Sequence, residues 1–306
     1  MNILVIEFEF LSLASGKLPV YKGSMFRGAF GSALKEVACT NKSNYDCKKC
    51  SKEHFCLCHA MFAAEDNSNA KQKDIPRPYV FRSENFETKF EKGQSSLKAE
   101  LIVFHKLIPL MQYLIHAMNV AADRGFGAHR IPFKMTKATV KGTDKILIYD
   151  EKFSSDLIKP FELLPPRDFN NIRVNGMIEI DTPLFLKDKK SGKCKIKGNN
   201  FLKSLIRRAS VLSRYYADDE WAGFPFSSFF RELENVEILS SDLRWCSFSR
   251  YSSTQGGEFP VKGYVGKIVM NNIPVSLLEL LTSSEHIHLG KGAAWGLGKI
   301  RTIGFF

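Results

Sequence analysis

The feature that most constrains this chain is a repeated order of elements with glycines at the same joint of each copy. In the first half, residues 3–10 alternate as a strand, with Leu4, Ile6, Phe8 and Phe10 set against Glu7 and Glu9. Ser24 reads as the N-cap of a helix reaching about residue 38, and residues 78–84 and 97–104 read as strands. Leu107, Leu110, Leu114, Met118 and Ala121 mark the apolar stripe of a second helix, and residues 131–140 close the half as a strand. In the second half the same β-α-β-β-α-β order is read over residues 174–180, 200–216, 236–245, 261–270, 275–281 and 299–305. Between the second helix and the last strand stand Gly125-Phe126-Gly127 in one half, and Gly290-Lys291-Gly292 with Gly296-Leu297-Gly298 in the other. Secondary structure alone does not demand glycines there, so the pattern reads as an internal duplication. The expected fold is therefore α+β: tandem ferredoxin-like (RRM-like) domains over residues 1–142 and 173–306. A linker is expected over residues 143–172, where Pro160, Pro165 and Pro166 break a weak periodicity. A chain of 306 residues is long enough for each half to bury its own core.

Charge narrows the partners. Lys and Arg number 44 against 32 Asp and Glu, a net +12, which favours polyanions such as nucleic acid or an anionic membrane surface and does not by itself choose between them. The longest apolar stretch, residues 107–122, is interrupted by Gln112, His116 and Asn119 and is too short and polar to span a bilayer. The first residues carry no basic segment and alternate like a strand, so a cytoplasmic protein without a membrane partner is expected.

Two segments suit a ribose-phosphate strand. The glycines at 290, 292, 296 and 298 would let backbone approach a ligand closely, and amides exposed beside Lys291, Lys299 and Arg301 would cradle phosphate. The GxxxxGK[ST] order of a nucleotide-binding loop is absent, and a tight structural turn is the competing reading. In the helix over residues 200–216, Phe201, Leu205, Ala209, Leu212 and Tyr216 form one face. Lys203, Arg207 and Arg214 return to within about 40° of one another on a second face, able to follow a phosphate backbone. Lys187, Lys189, Lys190, Lys193, Lys195 and Lys197 precede this helix and favour that use over a merely solvated surface.

Five of the 7 cysteines fall between Cys39 and Cys58. In a reducing compartment, a Cys47-x2-Cys50 knuckle with further thiolates reads as a metal site before a disulfide framework. Cys39, Cys47, Cys50 and Cys56 are the expected ligands of a structural zinc in an insert over about residues 39–62; Cys58, His54 or His59 are alternatives for one position, and an iron-sulfur cluster or unliganded buried cysteines are the competing readings. No Ser-His-Asp arrangement, HExxH motif or paired carboxylate is visible, so the sequence gives no support to hydrolysis of those kinds.

The chain resembles the CRISPR-associated endoribonucleases of the repeat-associated (RAMP) superfamily, which cut precursor transcripts into guide RNAs. Seven segments carry the resemblance. They are Phe26-Arg27-Gly28-Ala29-Phe30-Gly31, Gly125-Phe126-Gly127-Ala128-His129-Arg130-Ile131, the run from Thr182 to Lys187, the run from Ile206 to Tyr216, Arg250-Tyr251-Ser252, Gly263-Tyr264-Val265-Gly266, and His288 to Ile300. The resemblance implies an RNA-binding protein that cleaves one phosphodiester per CRISPR repeat without a catalytic metal. The neighbouring 2′-hydroxyl would attack, leaving a cyclic phosphate and a 5′-hydroxyl. It also implies Arg27, His129, Arg130, Arg208 and Arg250 as RNA contacts. Catalytic groups are implied near the first helix: His54 or His59 for proton transfer, Tyr21 assisting, and Lys22 for charge. The alternative is a non-catalytic RNA-binding subunit of a CRISPR effector complex.

Overall fold

The computed structural model describes residues 1–39, 41, 47, 50, 56–62, 75–142, 146–149, 152–153, 160–167, 171–188, 191–218, 220–252 and 256–306. The chain divides into two units, Asn2–Phe161 and Glu162–Phe306 together with Met1.

The first unit contains β1 (Asn2–Ser12), β2 (Gly16–Lys17), α1 (Gly23–Ala38), α2 (Leu57–Phe62), β3 (Tyr79–Arg82), β4 (Lys89–Phe90), β5 (Ser96–Phe104), α3 (Met111–Asp123), β6 (Phe133–Val140), β7 (Ile146–Tyr149) and β8 (Lys152–Phe153). Its sheet runs β3-β5-β1-β6-β7-β8 with antiparallel neighbours. Along β3-β5-β1-β6 these are the second, third, first and fourth strands of the β-α-β-β-α-β order, the arrangement of a ferredoxin-like sheet. Apolar positions of α1 (Phe26, Phe30, Ala33, Leu34) and α3 (Leu114, Ile115, Met118, Ala121, Ala122) are buried, at the spacing that keeps one helical stripe on a core. Edge-to-face rings join the layers: Phe126 meets Phe26 at 5.0 Å and Phe10 at 5.5 Å.

Helix boundaries depart from the sequence reading for local reasons. Lys22, not Ser24, occupies the N-cap of α1, with no side-chain capping bond. The second helix opens with a 3-10 turn, His105–Leu110, that contains Pro109, and the α-helix proper begins after it at Met111. Proline has no N–H to give to a helical ladder, so the α geometry starts downstream of it. The stretch read as linker holds β7, β8 and a short β9 (Phe161–Glu162).

The second unit contains β10 (Arg173–Leu184), α4 (Gly198–Tyr216), α5 (Phe226–Glu232), β11 (Ile238–Ser252), β12 (Gly257–Pro274), α6 (Leu278–Ser283) and β13 (Ile300–Phe305). Its sheet order, β11-β12-β10-β13, repeats the second-third-first-fourth arrangement. Ile178, Ile180, Ile268, Met270 and Ile300 are buried, as are Phe201, Leu202, Leu205, Ile206, Ala209 and Leu212 of α4. β11 and β12 run well past the expected strand ends. The pairing of β10 with β12 stops at Leu184–Tyr264, while β11 and β12 stay paired from Trp245–Tyr264 out to Ser252–Gly257. The two strands thus continue as a ribbon beyond the sheet.

Candidate nucleic-acid interface

In both units some charged strand residues pair with one another across the sheet. Arg82, Glu100 and Glu7 form a cross-strand row, since Arg82 pairs in register with Glu100 and Glu100 with Glu7. The Arg82 guanidinium binds Glu100, and Lys141 binds Glu100 and Glu7. Burial alone would raise the Glu100 pKa, but Arg82 and Lys141 overcome it and hold the carboxyl below its usual range. In the second unit Arg301 binds Glu179 at 2.6 Å, and Lys299 binds Asp181 at 3.3 Å. Lys299 and Arg301, expected beside a phosphate cradle, are therefore already matched by carboxylates.

The glycine loop is closed largely on itself. The amides of Lys291 and Gly298 donate to Phe185 and Pro183 at the end of β10, and the Leu289 amide donates to Gly298. The Thr182 hydroxyl donates to the Gly296 carbonyl and accepts from the Lys299 amide. Gly290, Gly292, Gly296 and Gly298 all have positive φ, and a Cβ on Gly298 would overlap the Leu289 carbonyl oxygen. Those glycines primarily lock a turn onto β10. Lys291 stands exposed at its rim.

Cations of α4 and the ribbon fall into two groups. Arg208 is spent structurally: its Nε donates to the Ile287 carbonyl at 2.8 Å, and burial pushes its pKa down to about 10. Arg250 lies over the rings of Trp295 and Phe259. Lys203 and Arg207 flank the Phe230 ring at 5.8 and 4.9 Å, and Arg207 and Arg214 are exposed. Lys203, Arg207, Arg214 and Lys291 have no carboxylate partner among the described residues, in contrast to Lys299 and Arg301. The aromatic seats, Phe230 and Trp295, carry no periodic signal toward the arginines and were not legible in the sequence.

In the first unit the expected catalytic groups separate. Lys22 is 1% exposed, and its ammonium donates to the carbonyls of Glu87 at 2.7 Å, Asn85 at 2.8 Å and Val20 at 3.4 Å. Burial lowers its pKa to about 8, against an opposing pull from Glu87. Burial raises the neighbouring Tyr21 phenol well above its usual range, keeping it a proton donor. His59 belongs to α2, where Cys58 donates to the Leu34 carbonyl. Leu34 lies about 18 Å along α1 from Lys22 at 1.5 Å per residue, so His59 is not brought to Tyr21. His59 Nδ1 pairs with the Cys47 carbonyl at 2.9 Å. His54 lies outside the described residues, as do Lys189 and Lys190. The turn holding exposed His129 and Arg130 approaches the start of α1 instead: a Cβ on Gly127 would lie 2.8 Å from Leu18 and 3.9 Å from Met25.

The cysteines of the insert are mutual neighbours. Burial raises the Cys47 thiol; Lys35 opposes this, and Cys56, Cys39 and Cys50 add to it. Cys58 is fully buried and pushed up to about 12 by burial and then by Cys56, Cys39 and Cys47. Among the described residues, no three His, Cys, Asp or Glu side chains close around a metal ion.

Fold and surface together define a class: a two-unit α+β protein with ferredoxin-like sheets and unpaired cations on a helix and a glycine turn. A family model described as CRISPR-associated endoribonuclease Cas6 matches residues 178–300, and one described as an N-terminal domain matches residues 1–162. The match to the Cas6 endoribonuclease family is thus carried by the second unit, and the N-terminal domain model covers the first. An Archaeoglobus fulgidus protein, described as uncharacterized, is 25% identical over 293 residues, 93% of this chain and 92% of its own. Among solved structures, a Cas6 product complex matches with TM-score 0.60 and 14% identity over 99% of each chain. Thermus thermophilus Cas6 matches with TM-score 0.52 and 12% identity over 99% of this chain and 98% of its own. At such identities the likeness is one of fold. No helix among the described residues is long and apolar enough to cross a membrane.

Proposed function

We propose that this protein is an endoribonuclease that cuts CRISPR precursor RNA within its repeats to release guide RNAs. The supporting observation is that the unit matched by the endoribonuclease family carries Lys203, Arg207, Arg214 and Lys291 without carboxylate partners among the described residues, while Lys299 and Arg301 of its last strand are neutralised. Unpaired cations on one helix face and an adjoining turn suit a phosphate backbone.

The reaction we assign is attack of the 2′-hydroxyl oxygen on the adjacent phosphorus with departure of the 5′-oxygen. It yields a 2′,3′-cyclic phosphate and a 5′-hydroxyl, and needs no catalytic metal. It requires in-line geometry, a base for the 2′-proton, a cation at the phosphorane and an acid for the leaving oxygen. Tyr21, held protonated by burial, suits the acid. For proton transfer we favour His129 over His54 and His59, because its turn abuts the start of α1 near Tyr21. Arg130 beside it suits the phosphorane better than Lys22, whose donors are committed to carbonyls. A structural zinc on Cys39, Cys47, Cys50 and Cys56 is a separate proposal, supported by their soft donors and by the electrostatic influence of the other three on Cys47.

The test is incubation of end-labelled repeat RNA with purified protein in chelator. A single cut ending in cyclic phosphate supports the enzyme. An intact but shifted band overturns it in favour of the non-catalytic RNA-binding subunit, a reading supported by the separation of His59 from Tyr21. His129→Ala is expected to abolish cleavage and keep RNA binding; full activity there with loss in His54→Ala or His59→Ala would move the assignment to the insert.

A further inference from the structure

Midway along the contact between α1 and the insert, two arginines gather at one buried tyrosine. Arg27 of α1 donates from Nε to the Tyr79 hydroxyl at 3.2 Å, with its guanidinium 5.7 Å over the Phe62 ring. Arg77 lies two residues before Tyr79 in the chain. It stands between Pro76 and Pro78, whose rings fix φ and stiffen the segment, and its charge also acts on the Tyr79 hydroxyl. Tyr79 is fully buried, and both arginines are half-buried. The Nη1 of Arg77 is buried with no hydrogen-bond partner. Neither guanidinium has a carboxylate partner among the described residues.

Like charges converging in partly desolvated surroundings repel, and an unmet buried donor adds a further cost. A residue pair of this kind is stabilised by an anion with several acceptor oxygens. Planar guanidiniums match phosphate oxygens in a forked geometry.

We propose that Arg27 and Arg77 clamp one backbone phosphate of bound RNA, with Tyr79 as the residue that positions Arg27. The nature of the ligand rests on the RNA-processing reading; the clamp itself does not require cleavage. Because it grips backbone, it acts on RNA of any sequence. The contact lies in the first unit, so RNA engages that unit as well as the α4 surface of the second.

The experiment measures binding of a labelled 30-nucleotide uridine homopolymer across a salt series. Arg77→Gln is expected to weaken binding about tenfold, the size of a lost hydrogen-bonded charge contact. It should also flatten the plot of log affinity against log salt by about 0.7, the value for one single-strand phosphate contact. Arg77→Lys should regain the slope, and Tyr79→Phe should raise the phenylglyoxal reactivity of Arg27 in the RNA-free protein. Unchanged affinity and slope in a folded Arg77→Gln protein overturn the clamp. Should that variant fail to fold, wild-type protein labelled with phenylglyoxal decides: loss of Arg27 and Arg77 labelling on adding the homopolymer supports the clamp, and unaltered labelling overturns it. Wild-type protein that binds the homopolymer through these arginines but leaves repeat RNA intact defeats the nuclease reading and keeps the clamp.

Discussion

The Arg250 guanidinium lies 4.1 Å from the centre of the Trp295 ring, and this contact fastens the β11–β12 ribbon to the glycine loop. Arg250 was expected among the RNA contacts; its stacking partner makes it a tie between the ribbon and the loop. A cation over an indole contributes about 0.5–2 kcal/mol. Trp295→Ala is expected to lower unfolding free energy by about that amount and to speed hydrogen exchange at ribbon amides 246–252, with α4 amides unaffected. Equal exchange in ribbon and helix would mean that the stack holds nothing in place.

Two glycine substitutions separate packing from surface. At Gly298, φ is +65° and a Cβ would run into the Leu289 carbonyl, so Gly298→Ala forces the loop off β10. A loss of about 3 kcal/mol or more in urea unfolding is expected, from strain plus displaced backbone bonds. Gly28 sits exposed within α1, and a Cβ there would meet nothing within 4 Å, so Gly28→Ala should stabilise by about 0.5–1 kcal/mol.

The repeated strand and helix order was legible because the buried faces alternate or recur at helical spacing, as in Leu4, Ile6, Phe8 and Phe10 or Phe201, Leu205, Ala209 and Leu212. The extent of β11 was not. Its outer half pairs only with β12 among the described residues, so Ser247, Ser249 and Tyr251 are exposed and alternation fades. Charge type was legible, but charge pairing was not: Arg301 and Arg207 look alike in a sequence, and only strand register brings Glu179 to the first. The Tyr21 end of α1 was singled out, whereas the nearness of the His129 turn depends on a contact across more than a hundred residues.

Glu100 offers a test of the first sheet's polar row. Arg82 is 4% exposed, and removing the Glu100 carboxylate would take a charge partner from a buried cation. Glu100→Gln is expected to cost about 3–5 kcal/mol, whereas Arg82→Met combined with Glu100→Leu should cost less than the single change. Because the folded pKa of Glu100 is depressed, its contribution is present above the unfolded carboxylate value and fades as pH falls through the folded one. Thermal melts from pH 7 down to pH 3 should converge for wild type and Glu100→Gln.

The cysteines give a metal prediction. Protein purified without chelator should contain about one zinc per chain by elemental analysis, as a four-thiolate site binds one ion. Cys47→Ser should lose it, and Cys58→Ser, which changes a buried thiol bonded to Leu34, should keep it at reduced stability. Zinc-free wild-type protein with an unchanged melting curve would remove the metal from the account.

Lys22 makes stability rise with alkalinity in a window where most proteins are indifferent. Its folded pKa is about 8 against 10.5 for the unfolded side chain, so the unfolded chain holds more protons between those values. Stability must then increase with pH across that interval, and the penalty for burying the ammonium is fully present below it. Tyr21 acts oppositely above pH 10, since its folded phenol stays protonated while the unfolded one ionises. The useful range is therefore pH 8 to 10. Lys22→Met removes the titration and leaves the Asn85 and Glu87 carbonyls without their donor, so it should be less stable throughout. The gap between wild type and Lys22→Met, read from urea unfolding at each pH, should widen by roughly 2 kcal/mol over that range. A constant gap would show that the amine titrates in the folded protein as it does in water, and that its three carbonyl bonds offset the whole cost of burial.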